Sequence, residues 1–272
     1  MDVSVIIVNY KSRRLIMQQL RHFFSTPTRC AVEVLVVDNA SQDGIVPLLA
    51  AEFPQVKTIE LAENKGFGSG NNAGIAKATG RYIVLCNPDI VLTAAALDMM
   101  CEYMDAHAAV GMIGPRLINA DGSLQYSIAR FPGLRYPFAR RSILEKTRWG
   151  QRWTDDFFMR SWAHDTPREV DWMQGSCMMV RHDALRDVGG FDRHFFMYLE
   201  DTDLCWRFWE RGYRVVYLPS ISLIHLHRRS SEGSAFSILF NSLSRAHLIS
   251  FFRYMLKHIG RENPHIPDGP NH

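Results

Sequence analysis

Three carboxylates, Glu200, Asp201 and Asp203, stand in the stretch FFMYLEDTDLCWRFWERG, between Phe195-Phe196-Met197-Tyr198 and Leu204-Cys205-Trp206. Crowding like charges against aromatic surface costs desolvation and repulsion, and the same desolvation raises the basicity of a carboxylate. An acid held this way is suited to accept a proton near neutral pH. The pattern predicts a helix over Asp201 to Arg211, with an acid at its start, apolar Leu204, Cys205 and Phe208, and Gly212 as its stop.

Other polar clusters could bind a ligand. Asp89, in LCNPDI, follows an apolar strand, with Pro88 fixing an extended approach. It can hold a hard divalent cation, which takes oxygen ligands and bridges phosphates, or cap the helix beginning near Thr93. Asp38, in VVDNASQDG, can likewise cap the helix that follows or accept hydrogen bonds from the base or ribose of a nucleotide. NKGFGSGNNAG brings Gly66, Gly68, Gly70 and Gly74 together before a helix. Their amides could approach a phosphate, or the loop is simply a tight connection. The spacing is not G-x-G-x-x-G, which disfavours a dinucleotide-binding dehydrogenase. His225-x-His227 lacks the matched Cys or His pair of a zinc site. Either one imidazole joins a carboxylate at a divalent cation, or both belong to a surface loop.

These clusters need a scaffold, and the first half of the chain supplies one. Val3 to Val8, Val32 to Val37, Val56 to Leu61 and Tyr82 to Leu85 read as strands, with helical spacing over Arg13 to Phe24 and a helix after the NASQDG turn. Strand–helix alternation predicts an α/β fold with a mostly parallel central sheet flanked by helices, and ligands bind beyond the carboxyl ends of such strands. Asn9-Tyr10, Asp38-Asn39, the glycine loop and NPD all fall at those ends. Residues Arg116 to Pro167 read as irregular, with Arg135, Arg140, Arg141, Lys146, Arg148 and Arg152 nearly unopposed. VDWMQGSCMMVRHDALRDVGGFD reads as strand, turn, short helix and glycine turn, and YRVVYLP as a last short strand. Ser234 to His258 is weakly amphipathic, rich in Phe and Leu but broken by Asn241, Arg245 and Arg253. The expected organisation is one domain over 1–230 (halves 1–115 and 116–230) and a helical tail over 231–272.

With 47% hydrophobic and 22% charged residues, the 272-residue chain has the composition of a soluble globular protein. A formal net charge of +3 is too small to argue for nucleic acid as partner. Five cysteines without a C-x-x-C pair suggest a reducing compartment. The N-terminal apolar run is short for a signal peptide, and no uncharged stretch is long enough to span a bilayer. The expected location is cytoplasmic.

The ordered set VSVIIVNYKS, VVDNASQDG, NKGFGSGNNAG, NPDI, WMQGSCMMVRHDAL, VGGFDRHFFMYLEDTDLCWR and HLHRRS resembles the family-two inverting glycosyltransferases of the GT-A fold, most closely their bacterial rhamnosyltransferase-like branch. The resemblance runs from Val3 to about Ser230. It implies a Rossmann-like nucleotide-binding fold and a nucleotide-sugar donor, with dTDP-rhamnose the expected one and a UDP-sugar the alternative. Asp38 matches the acid that reads the base or ribose, and Asp89 the last acid of a D-x-D metal motif whose first position here is Asn87. Asp201 matches the catalytic base, with Glu200 beside it, and His225 a histidine that completes a metal or pyrophosphate site. Donor contacts are expected from Asn9, Tyr10, Asp38, Asn64, Gly66, Gly68, Asn71, Asn87 and Asp89, acceptor contacts from Trp172, Gly175 and Ser176, and Mg2+ or Mn2+ on Asp89 and His225. Inverting transfer needs a base for the acceptor hydroxyl and positive charge at the departing diphosphate, which these residue types supply. Asp203 is expected to orient neighbours or cap the helix, with Arg207 pairing an acid or approaching phosphate.

The resemblance also implies an oligosaccharide acceptor on a polyprenyl diphosphate, as in O-antigen or capsule assembly at the inner leaflet. Arg130 to Trp153 and the Phe-rich tail either hold the chain against anionic lipid, making it peripheral on the inner face of the membrane, or finish the core and contact a second subunit in a homodimer. A sugar nucleotidyltransferase would want a basic, glycine-rich loop after the first strand, where this chain has Asn9-Tyr10-Lys11-Ser12. A non-catalytic sugar-nucleotide-binding partner is allowed by Asn87 but disfavoured by Asp89, Asp201 and His225.

Overall fold

The computed structural model describes residues 1–133, 147–226 and 242–265. Arg135, Arg140, Arg141, Lys146, His227 and the start of the expected tail lie outside the described residues.

Four segments form parallel strands: the largely apolar β1 (Val3–Asn9), β2 (Val32–Asp38) and β4 (Tyr82–Cys86), and the short, mostly exposed β3 (Lys57–Glu60). They are ordered β3-β2-β1-β4, with Asn9 opposite Asp38 at the carboxyl end. The intervening helices are α1 (Arg13–Phe23), α2 (Ile45–Glu52) and α3 (Phe67–Ile75). Side chains of a strand alternate between its faces. Val5 and Ile7 therefore enter a core with Ile16, Leu20 and Met100, while Ile6 enters a second core with Met178, Leu204 and Phe208.

The sheet continues through residues that resist reading. After β5 (Ile90–Val91) and α4 (Ala94–Ala106) comes β6 (Val110–Ile118), whose sequence VGMIGPRLI carries two glycines and a proline. Short strands β7 (Leu124–Gln125), β8 (Ile128–Ala129), β9 (Arg168–Glu169) and β10 (Trp172–Met173) and helix α5 (Arg148–Phe157) occupy the region expected to be irregular. Strand β11 (Cys177–Arg181) lies antiparallel between β4 and β6 and is followed by α6 (His182–Asp187). The last strand, β12 (Arg214–His225), has twelve residues rather than the short run expected from YRVVYLP. Its register against β6 shifts between Leu218 and Ser222, where Pro219 lacks the N–H a ladder needs. Beyond that shift the strand recovers, runs parallel to β6 and pairs with β5.

Helix α7 (Glu200–Glu210) starts one residue before the expected Asp201 and places Glu200, Asp201 and Asp203 in its first turn. There Asp201 and Asp203 complement the positive end of the helix dipole. Gly212, with φ of 77°, ends it as expected. Helix α8 (Ser242–His258) packs Phe251 and Tyr254 against Phe195, Leu199 and Trp206 in a third, smaller core.

Candidate active site

Asp201 is half-buried at the start of α7. Its Oδ2 accepts the Gly175 amide at 2.9 Å, and its Oδ1 accepts the Thr202 amide at 2.7 Å. Burial pushes its carboxyl above the usual carboxylate range, and those amides restrain the rise. Burial, and then the Asp201 charge, push the Glu200 carboxyl well above its usual value. Glu200 Oε2 is buried with no hydrogen-bond partner, consistent with a neutral carboxyl. Asp203 is fully buried and behaves oppositely. Burial raises it, but the His258 hydrogen bond and the Arg207 and Lys257 charges outweigh burial and hold it below the usual value. The three acids crowded among aromatics thus differ in environment: burial raises the carboxyls of Glu200 and Asp201, while the partners of Asp203 lower its own.

Ser176, the residue after Gly175, accepts the Asn87 amide through its carbonyl at 2.8 Å. Two consecutive residues of the β10–β11 turn therefore tie Asp201 to the NPD segment. Asp89 does not cap α4; the Thr93 hydroxyl does, accepting from the Ala96 amide at 3.2 Å. Asp89 Oδ1 instead lies 3.3 Å from His225 Nε2. His225 is buried, and its Nδ1 meets Gln125 Oε1 at 2.7 Å. Gln125 thus faces one ring nitrogen of His225 and Asp89 the other, which fixes the ring's orientation.

The remaining residues expected to contact a donor lie around the strand ends. Asn9 is fully buried and donates to Asp38 Oδ1 at 2.8 Å and to both carboxylate oxygens of Asp43 at 3.2 Å. Asp38 is thereby aimed across the β1–β2 edge rather than capping α2; Asp43 meets the Ile45 amide there, at 3.2 Å. Tyr10 is exposed beside this pair. Asn64 accepts from the Gly66 amide and from Asn39, both at 2.9 Å, while Asn71 donates back to the Phe67 carbonyl at 3.0 Å. Gly66, with φ of 91°, abuts the Phe196 carbonyl so closely that a Cβ would fall on it, and Gly68 packs on Phe191. A Cβ on Gly74 would stand 2.5 Å from Ile6 Cγ2. The glycine loop lets α3 lie close on the sheet and locks it to the loop before Asp201. Trp172 donates from its indole N–H to the Arg130 carbonyl at 2.7 Å, on the strand leading to Gly175.

Residues 4–189 match the sequence profile of glycosyl transferase family 2, and residues 126–255 match that of glycosyl transferase family group 2. The chain belongs to glycosyl transferase family 2. It is 30% identical over 220 residues to N-acetylglucosaminyl-diphospho-decaprenol L-rhamnosyltransferase of Mycobacterium tuberculosis, covering 77% of this chain and 71% of that protein. It is 31% identical over 201 residues to the rhamnosyltransferase WbbL of Escherichia coli K12, covering 71% and 70%. The mannosyltransferase PcManGT of Pyrobaculum calidifontis, solved with GDP-Man and Mn2+, superposes with a TM-score of 0.61 at 20% identity, covering 96% of this chain and 66% of that one. The GT-A architecture expected from the sequence motifs is the one observed.

A divalent cation can be accommodated by this family 2 glycosyltransferase. No cluster of three or more His, Cys, Asp or Glu side chains suited to a metal occurs among the described residues. Asp89 and His225 offer one oxygen and one nitrogen. Mg2+ commonly takes one or two protein ligands and completes its shell with substrate phosphates and water, so this sparse donor set fits a cation shared with a diphosphate. Sequence reasoning missed Gln125, because it lies 100 residues from His225 and in no motif. It also missed Asp43, although that residue stands in the quoted NASQDG turn.

Proposed function

We propose that this glycosyltransferase moves a sugar, with inversion, from a nucleotide-sugar to a hydroxyl of a lipid-linked glycan, with Asp201 as the base. The observation that carries the reading is the bridge from Asp201 through Gly175 and Ser176 to Asn87, which ties the turn that holds the Asp201 carboxylate to the segment that carries Asp89. The named activities of the two rhamnosyltransferase relatives support rhamnose as the transferred sugar, with dTDP-rhamnose the donor this reading expects. The M. tuberculosis relative supports a polyprenyl-diphosphate-linked acceptor.

In this reading residues 1–115 hold the donor and residues 116–230 the acceptor. Asp38, oriented by Asn9, receives hydrogen bonds from the base or ribose beside Tyr10. Asn64, Gly66, Gly68 and Asn71 line the adjoining donor wall, and Asn87 continues it to Asp89. Trp172, Gly175 and Ser176 form the acceptor side. The backbone amides on Asp201 fix its carboxylate, which removes the acceptor hydroxyl proton as that oxygen attacks the anomeric carbon. Glu200, neutral beside it, adds no competing charge. Asp89 and His225 would hold Mg2+ or Mn2+, which when bound supplies positive charge to the departing diphosphate.

The outer face of α8 supports contact with a membrane surface. Leu248, Ile249, Phe252 and Leu256 are exposed on it, and no acid occurs from 242 to 261. Among the described residues no helix is long and apolar enough to cross a membrane. The deciding experiment measures nucleoside-diphosphate release with and without a polyprenyl-diphosphate acceptor analogue, over a panel of nucleotide sugars and with Mg2+ or Mn2+. Acceptor-dependent release from dTDP-rhamnose is expected. Release only from UDP-sugars would overturn the donor, and thermal stabilisation by donors without turnover would leave a binding partner instead of an enzyme.

A further inference from the structure

The turn that delivers Asp201 is strained. Tyr198 and Leu199 have φ of 71° and 64° in succession, a left-handed conformation that residues with a Cβ keep only where their surroundings impose it. One side is imposed by α3: the Phe67 amide donates to the Phe196 carbonyl at 3.0 Å, above Gly66. The other side is α8, which follows the turn in antiparallel order. The His247 ring lies 5.0 Å from that of Tyr198, and Ser250 Oγ donates to the Met197 carbonyl at 2.8 Å. Arg253 donates to the His194 carbonyl, and Lys257 Nζ reaches Asp192 at 2.6 Å. These positions recur every three or four residues, so one face of α8 holds the whole 192–199 segment. The same face then grips α7 itself: Lys257 and His258 meet Asp203 at 2.8 and 2.9 Å, two residues beyond Asp201.

We propose that α8 is a splint for the catalytic carboxylate, and that Ser250, Arg253, Lys257 and His258 are positioning residues of the transfer reaction. The helix is then part of the catalytic unit rather than an appended tail. This rests on Asp201 being the base, but its physical content, restraint of the 192–201 segment, is measurable without turnover. Removing one of the α8 hydrogen bonds relaxes the two strained residues, and misplacing a reacting group by about 1 Å can lower a rate about 100-fold.

The test uses the full chain with Ser250→Ala/Lys257→Met, Lys257→Arg alone, and Asp201→Asn as reference. Hydrogen exchange over 192–201 is followed together with kcat and the donor KM. The double variant should exchange faster in that segment and lose kcat by about tenfold or more at unchanged donor KM. Lys257→Arg, which keeps the charge, should retain most of the activity. Unchanged exchange, unchanged kcat, or a loss of activity accounted for by the unfolded fraction would overturn the splint. Should the double variant not fold, Ser250→Ala alone carries the same comparison, since it removes one hydrogen bond. Turnover surviving Asp201→Asn would remove the base assignment, whereas the exchange result would still decide whether α8 restrains the turn.

Discussion

Gly175 donates its amide to Asp201 Oδ2 at 2.9 Å, and in doing so orients the carboxylate without neutralising it. Asp201→Asn keeps the shape and loses the proton acceptor. General-base contributions of about 100- to 10,000-fold predict a loss of that size in kcat, with donor affinity by calorimetry nearly unchanged. Glu200→Gln removes a carboxyl that burial already raises well above its usual value, and should cost only a few-fold. Because burial raises the Asp201 carboxyl, activity should fall with acidification at a pH above the ordinary carboxylate value of 3.8, in a profile of kcat against pH.

Gln125 fixes His225, and His225 faces Asp89. Outer hydrogen-bond partners of metal ligands typically change affinity by about 10- to 100-fold. Gln125→Ala should therefore raise the Mn2+ concentration needed for half-maximal activity in that range. Asp89→Asn or His225→Ala should raise it further. A chain whose activity is indifferent to chelators would exclude the cation role for this pair.

Gly66 carries a steric demand rather than a flexibility. Its φ of 91° and its contact with the Phe196 carbonyl leave no room for a methyl group. Gly66→Ala should destabilise the fold by about 2 kcal/mol or more in urea titration and lower kcat, because the displaced backbone leads to Asp201.

Asp203 and Glu33 tie stability to pH. The His258 hydrogen bond and the Arg207 and Lys257 charges hold Asp203 below 3.8 in the native state despite burial. Burial would raise Glu33, but Lys57, Ser4 and Thr79 lower it from 4.5 to about 2. A carboxyl depressed by folding stabilises the native state above its unfolded value and loses that contribution as pH falls through its native value. For Glu33 the loss spans about pH 4.5 to about 2. Urea midpoints should fall through this acidic window, and Lys257→Met should flatten the share that Asp203 contributes.

Much of this was legible because local pattern and position agree. Val3–Asn9, Val32–Asp38 and Tyr82–Cys86 are predominantly apolar runs, and the polar residues at and after their ends lie where an α/β sheet binds ligands. Strand β6 was hidden by its glycines and proline, and β12 was cut short by Pro219, since neither reads as a strand without its neighbour. The antiparallel position of β11 depends on β4, distant in sequence. The glycine loop suggested a phosphate cradle, and the tightest of its contacts are with Phe196 and Ile6. Asp203 was legible as a partner for Arg207 but not for His258, 55 residues away.

Helix α8 presents apolar residues on both sides, which is unusual for a surface helix. Phe251 and Tyr254 face the core, while Phe252 is 58% and Leu256 78% exposed on the other side, with Leu248 and Ile249. Arg245 and Arg253 flank that stripe and no acid opposes them within the helix. An apolar stripe with basic flanks matches the interface of an anionic bilayer, where burial of side chains and attraction to lipid phosphates act together. The protein should co-sediment with anionic liposomes at moderate salt, and Phe252→Ser/Leu256→Ser should abolish co-sedimentation while leaving transfer to a water-soluble acceptor intact. If the stripe joins two copies instead, the intact chain will sediment as a dimer without lipid and the double variant as a monomer. Since the opposite face of the same helix holds the turn before Asp201, lipid binding should also slow hydrogen exchange over 192–201. Exchange in that segment unchanged by liposomes that bind the protein would separate the two faces of α8.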